Sequence, residues 1–179
     1  AVSQCARSEV CRQDIFQRKM YAYIIHYCKR FSKNAEIVRS GLKLFNWVAT
    51  TDDRIITLCR DGNVVPVILK VMKKHEGNGL VLGPSILFLT RSAATYPPAM
   101  AIILRMKATP MIIRSLMTLY SDEILQLEGL KMIQTISKTA EGWKQISETR
   151  GGWQALTQGT SIGNALVHDL PGELNNPGW

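Results

Sequence analysis

The sequence predicts an all-α chain: a helical solenoid of about four three-helix units with a period of 44 residues. Three observations predict it. The first is a repeat in register. Leu42–Ala49 (LKLFNWVA), Ile86–Ala93 (ILFLTRSA) and Leu130–Ser137 (LKMIQTIS) each begin 44 residues after the last. Val64–Leu69 (VVPVIL) and Ala108–Ile113 (ATPMII) keep the step, with Pro66 on Pro110, and Gly152–Thr157 (GWQALT) puts Leu156 on Ile112 and Ile68. Leu58, Ile102 and Ile146 form a further column. The second is the spacing of apolar residues at three and four positions, the mark of amphipathic helices. The third is punctuation: Gly, Pro, Asn and Asp fall between the apolar stretches.

Taken in order, Ser8–Phe31 reads as one helix, with Ile15, Met20, Ile24, Ile25 and Cys28 along its apolar stripe. Ser32 is the expected cap of the next helix, Glu36–Thr50. Thr51-Asp52-Asp53 stops that helix and starts a short one, Arg54–Arg60, before the Asp61-Gly62 turn. Val65–Lys74 follows, with Pro66 in its first turn, where a missing N–H costs nothing. After the Glu76–Gly79 loop, a long apolar helix runs to about Thr95, softened near its start by Gly83 and Pro84 and ended by Tyr96-Pro97-Pro98. Ala99–Met106, Pro110–Tyr120, Glu123–Lys138 and Gly142–Glu148 complete the helices, and Gly151-Gly152 breaks the chain. Leucine and isoleucine columns assign the core side of the long helices: Leu42, Phe45, Val48 and Ala49, then Ile86, Leu89 and Ala93, then Leu130, Ile133 and Ile136. Two prolines and two glycines between Val167 and Gly178 rule out a regular helix there. The array is therefore placed at 1–160, with units near 8–52, 53–96, 97–140 and a partial 141–160, and 161–179 as an irregular tail.

A unit of one short helix and two longer ones resembles the armadillo repeat, across about residues 20–157. HEAT repeats, with two helices per unit, are the near alternative. The resemblance implies a right-handed α-solenoid whose third helices line a concave surface, and a non-catalytic protein-binding role. On that surface it places Lys43, Asn46 and Trp47, then Thr90 and Arg91, then Lys131, Gln134, Thr135 and Lys138. Read as a strip, these give four cations, one exposed tryptophan and no acids. They suit an acidic or extended partner segment, with Trp47 as an aromatic anchor. Armadillo proteins that carry nuclear import signals have Trp and Asn four residues apart in each groove helix. Here those positions hold Lys43/Trp47, Leu87/Arg91 and Lys131/Thr135, so that role is not expected.

Composition narrows the function classes. A net charge of +8 is spread unevenly over 179 residues. Residues 1–33 hold seven Lys/Arg against two acids, whereas 122–179 hold four against seven. The ends could hold an acidic partner or another copy head to tail, as one subunit of a larger assembly. Binding of nucleic acid or a membrane surface by the basic N-terminal third is the alternative, because Tyr21, Tyr23, Tyr27 and Phe31 interleave with Arg18-Lys19 and Lys29-Arg30. No apolar run is long enough to span a bilayer. No metal or cofactor is expected, because Cys5, Cys11, Cys28 and Cys59 lack metal-ligand spacing. His26, His75 and His168 share no motif, Asp52-Asp53 reads as a cap, and Gly77-Asn78-Gly79 reads as a loop, so no catalytic residue is named. Reduced thiols fit an intracellular protein, cytoplasmic by default, and a start without Met fits a processed N-terminus or a fragment of a longer solenoid, with an organellar protein after transit-peptide removal as the alternative.

Overall fold

The computed structural model describes residues 8–155 and 157, and among these the chain is all-helical, with no strand. The helices come in threes. The first set is α1 (Glu9–Gln17), α2 (Tyr21–Arg30) and α3 (Ala35–Val48). The second is α4 (Asp52–Arg60), α5 (Val64–Lys74) and α6 (Gly79–Thr95), and the third is α7 (Pro97–Arg105), α8 (Thr109–Thr118) and α9 (Glu123–Ser137). Then come α10 (Ala140–Glu148) and a helical stretch at 152–155. The expected tail at 161–179, Leu156, His168 and Cys5 lie outside the described residues.

Two local devices set the helix ends. The long helices α3, α6 and α9 are capped by Asn34, Asn78 and Asp122, each 44 residues after the last. Each side-chain oxygen accepts from backbone N–H groups of the first turn, which would otherwise lack partners. Asn34, not the expected Ser32, is therefore the cap of α3. The first and second helices of each set meet at a residue with left-handed backbone: Lys19 (φ 52°), Asn63 (φ 49°), Lys107 (φ 51°) and Gly151 (φ 84°), again at intervals of 44. At Lys19 the turn is closed by Met20 N–H on the Ile15 carbonyl and Lys19 N–H on the Phe16 carbonyl. Lys107 repeats the pattern with Ala108 on Ile103 and Lys107 on Leu104. These paired bonds form a Schellman motif, with lysine where glycine is usual. They also correct the single helix expected over Ser8–Phe31, which is two.

The main core is a continuous cluster from Tyr21 to Ala155, and Ile15 and Val48 form a small second one. Every residue assigned to the core side of the three long helices is buried. Ile102, in the Leu58/Ile146 column, is only half-buried, because its neighbour Ile103 takes the inward position on α7. Helix α6 packs against α3 on one side and α9 on the other, and Phe45 meets Phe88 across the first seam with ring centroids 6.0 Å apart. Polar bonds span the same one-set step. Arg54 Nη2 donates to Glu9 Oε1 at 2.7 Å, Lys74 Nζ to Ser32 Oγ at 2.7 Å, and Gln145 Nε2 to the Leu104 carbonyl at 2.9 Å.

Cys28 and Cys59 are buried free thiols. Burial pushes the Cys28 thiol up to about 11 and raises that of Cys59, which Ser92 partly offsets by hydrogen bonding. A raised thiol pKa means that the folded chain holds its proton while the unfolded chain ionises. The stability contributed by burying Cys28 is thus present below pH 9.0 and is lost as pH rises from there towards 11. The melting temperature is expected to fall across that window. At pH 8, iodoacetamide should label the half-exposed Cys11 before either buried thiol. Equal labelling rates for the three would contradict this packing.

Candidate docking groove

A groove of about 410 Å³ opens between α3, α6 and the start of α9. From α3 it takes Arg39, Lys43, Asn46 and Trp47, all on one face at helical spacing. From α6 it takes Gly79, Leu80, Gly83, Pro84, Leu87 and Arg91, and Asp122 and Ile124 close the far bank. The floor is low because Gly83 has no side chain: a Cβ built there would meet only Ile124 Cγ2, at 3.9 Å. Leu80 and Ile124 remain largely exposed although they are large and apolar. The near bank is cationic. Lys43 is exposed and has no ion-pair partner among the described residues, and Arg39 has only a loose pairing with Glu36 at 3.7 Å.

The structure brings the expected contact residues of α3 into this groove and gives several others different work. Asn46 Nδ2 donates to the Leu42 carbonyl at 3.1 Å and across the seam to the Pro84 carbonyl at 2.9 Å. Its Oδ1 is buried without a partner. One step along, Thr90 Oγ1 makes the matching contacts, to the Ile86 carbonyl at 2.9 Å and the Glu128 carbonyl at 3.3 Å. Thr90 is thereby buried in the α6–α9 seam, not displayed on the surface. Arg91 is half-buried, and its guanidinium donates to the carbonyls of Asn46 and Ala49. A cation on the last carbonyls of α3 satisfies acceptors that the helix end leaves open and complements its dipole. Arg91 is thus a seam residue as well as a groove-lining one, which corrects its reading as a free surface cation.

Trp47 is half-buried, packed with Ile15, Phe16, Leu44 and Val48, and stands as a ridge between this groove and a second one on its other side. Lys131, Gln134, Thr135 and Lys138 lie on α9, away from the groove lining. Lys131 pairs with Glu128 Oε1 at 2.9 Å, Thr135 Oγ1 donates to the Lys131 carbonyl at 2.8 Å, and the Gln134 carbonyl accepts from Ser137 Oγ at 2.8 Å. Asp122 and Glu128 therefore stand beside the strip, which is not free of acids. Sequence reasoning missed Arg39, Leu80, Gly83, Pro84, Asp122 and Ile124. A signal was present: Gly79 and Gly83 fall one turn apart at the start of an otherwise apolar helix.

Elsewhere, Tyr21 is buried while Tyr23 and Tyr27 are exposed, and the Tyr27 and Phe31 rings stack with centroids 6.0 Å apart. His75 Nε2 lies 2.9 Å from the Ser32 carbonyl, a contact that ties α5 to the end of α2. Among the described residues no group of three His, Cys, Asp or Glu side chains could hold a metal ion, and no helix is long and apolar enough to cross a membrane. Comparison with protein-family profiles, with curated proteins and with solved structures finds no match to this chain.

Proposed function

We propose that the chain is a non-catalytic docking array of the armadillo-like kind, a subunit that holds an acidic, apolar-faced segment of a partner protein between α3, α6 and α9. The observation that carries this reading is the groove itself: exposed Leu80 and Ile124 beside Lys43 and Arg39, over a floor with no side chain at Gly83. Exposed apolar side chains next to an exposed lysine and a loosely paired arginine suit a partner helix with a leucine face and acidic flanks. The solenoid reading draws support from the regular steps of caps and left-handed residues, and from side-chain bonds that, among the described residues, join neighbouring sets. In that reading the third helices line the concave side and the groove lies on it.

The test is calorimetric titration with a synthetic 16-residue peptide that places Leu on one face and Glu on both flanks. Gly83→Leu fills the floor, its Cβ 3.9 Å from Ile124 Cγ2, and the gain of up to about 1 kcal/mol from removing a helical glycine is opposed by crowding against Pro84, which follows it. The variant is expected to stay folded and to lose the peptide. Binding should also weaken as salt rises and fall about tenfold in Lys43→Glu, the size of one lost ion-pair contact of about 1.4 kcal/mol. A peptide that binds Gly83→Leu as well as the parent would exclude this groove.

A further inference from the structure

The second groove, on the other side of Trp47, lies at the N-terminal end of the helix stack. It measures about 600 Å³ and is lined mainly by apolar side chains, among them Ile15, Met20, Tyr23, Tyr27, Ile37 and Leu44. Its meaning comes from the residues one step further along the chain. Met20 is 38% exposed, Tyr23 67%, Tyr27 51% and Ile37 36%. Their counterparts 44 residues on, Val64, Val67, Val71 and Val81, are 0%, 6%, 3% and 0% exposed. In the third set the same places hold Ala108, Met111, Ser115 and Leu125, all buried. The same register carries Leu44, which lines the open groove, onto Phe88, which is 1% exposed against Phe45 of α3. In the second and third sets the preceding set packs on this side, with α2 on α5, α3 on α6 and α6 on α9. The first set presents the same stacking surface with nothing on it among the described residues.

We infer that this end surface is a berth for a helix of another protein chain, seated as α3 seats on α6. The inference rests on the stacked-unit reading but not on the lateral groove. The seams specify the occupant's chemistry. The helices that seat on a following set each carry a buried bulky apolar residue and, four positions later, a buried small one, Phe45 with Ala49 at the end of α3 and Leu89 with Ala93 on α6, and α9 repeats the pattern at Ile133 and Ser137. A second copy has no such face to offer, because all of these residues are already buried in its own core. Charge points the same way. Lys43 lines the berth, and residues 1–33 carry seven Lys/Arg against two acids, so two such ends repel and a helix with acidic flanks is favoured.

The probe is a labelled peptide with the sequence of α9, Glu123–Ser137, which carries the covering pair and two glutamates against one lysine. Fluorescence anisotropy with the full chain should show saturable binding. The double variant Tyr23→Asp/Tyr27→Asp should weaken it by at least about tenfold, as expected when central aromatic contacts are lost. Both side chains are exposed, so the variant should melt as the parent does. If it melts lower, Tyr23→Ser alone should still weaken binding. Gly83→Leu, which blocks the lateral groove, should leave this peptide's affinity within twofold, so the two sites fail independently. Three results would overturn the berth: no saturable binding, binding unchanged by the tyrosine substitutions, or a concentration-dependent dimer of the parent that those substitutions abolish.

Discussion

Phe45→Ala is expected to lower the stability of the whole chain by about 3–5 kcal/mol. Phe45 is 1% exposed, sits in the last turn of α3 and meets Phe88 across the seam between the first two sets. Removing the ring takes away buried apolar surface and leaves a cavity that two packed helices cannot close without shifting. A domain of this size has about 5–15 kcal/mol of net stability, so the loss removes a large fraction of it. In the proposed stacked arrangement each set is held by its neighbours, so a weakened α3–α6 seam loosens the packing between the first two sets. Urea unfolding followed by circular dichroism should show a much lower midpoint. Ile133→Ala, at the equivalent place on α9, should cost about 2–5 kcal/mol. A midpoint within error of the parent for Phe45→Ala would mean that the seam does not hold the array together.

Arg91→Ala is expected to cost about 2 kcal/mol, which is large for a side chain that is not fully buried. Its guanidinium satisfies two carbonyls, Asn46 and Ala49, at the end of α3. Hydrogen bonds from a charged donor to otherwise open acceptors contribute about 1.5–3 kcal/mol, and a cation at a helix C-terminus adds a smaller dipole contribution. Lys43→Ala is the control. Lys43 lines the same groove and is exposed, so its removal should change stability by less than about 0.5 kcal/mol. The pair separates the two kinds of cation on this face. If Arg91→Ala and Lys43→Ala melt alike, the seam contact makes no contribution to the fold.

The core was legible in the sequence because a buried position is recorded in residue type. The columns Leu42/Ile86/Leu130 and Phe45/Leu89/Ile133 stay apolar through the register, and each member is buried. The break at Lys19 was not legible locally, since lysine carries no preference for left-handed backbone. The register held the information all the same: Lys19 lies 44 residues before Asn63, in the Asp61-Gly62-Asn63 turn, and Lys107 lies 44 before Gly151. The candidate site was legible only in part. Residue type reveals that Lys43, Trp47 and Arg91 share a face, but not that Arg91 spends its donors on α3 while Lys43 spends none. That difference is set by distances across a seam, between residues 42 and 45 positions apart. Gly83 and Ile124 escaped notice for a related reason: a groove is made by what side chains leave empty, and the register reports only what they fill.

The central claim is that the groove between α3, α6 and α9 holds a partner segment. Its most direct test is backbone and indole NMR of the full chain titrated with the leucine-faced, glutamate-flanked peptide. The largest shifts are expected at the Trp47 indole and at the amides of Leu80, Gly83 and Ile124, saturating together and absent in Gly83→Leu. Saturable shifts centred on other residues, or no shifts at peptide concentrations up to the millimolar range, would contradict the account.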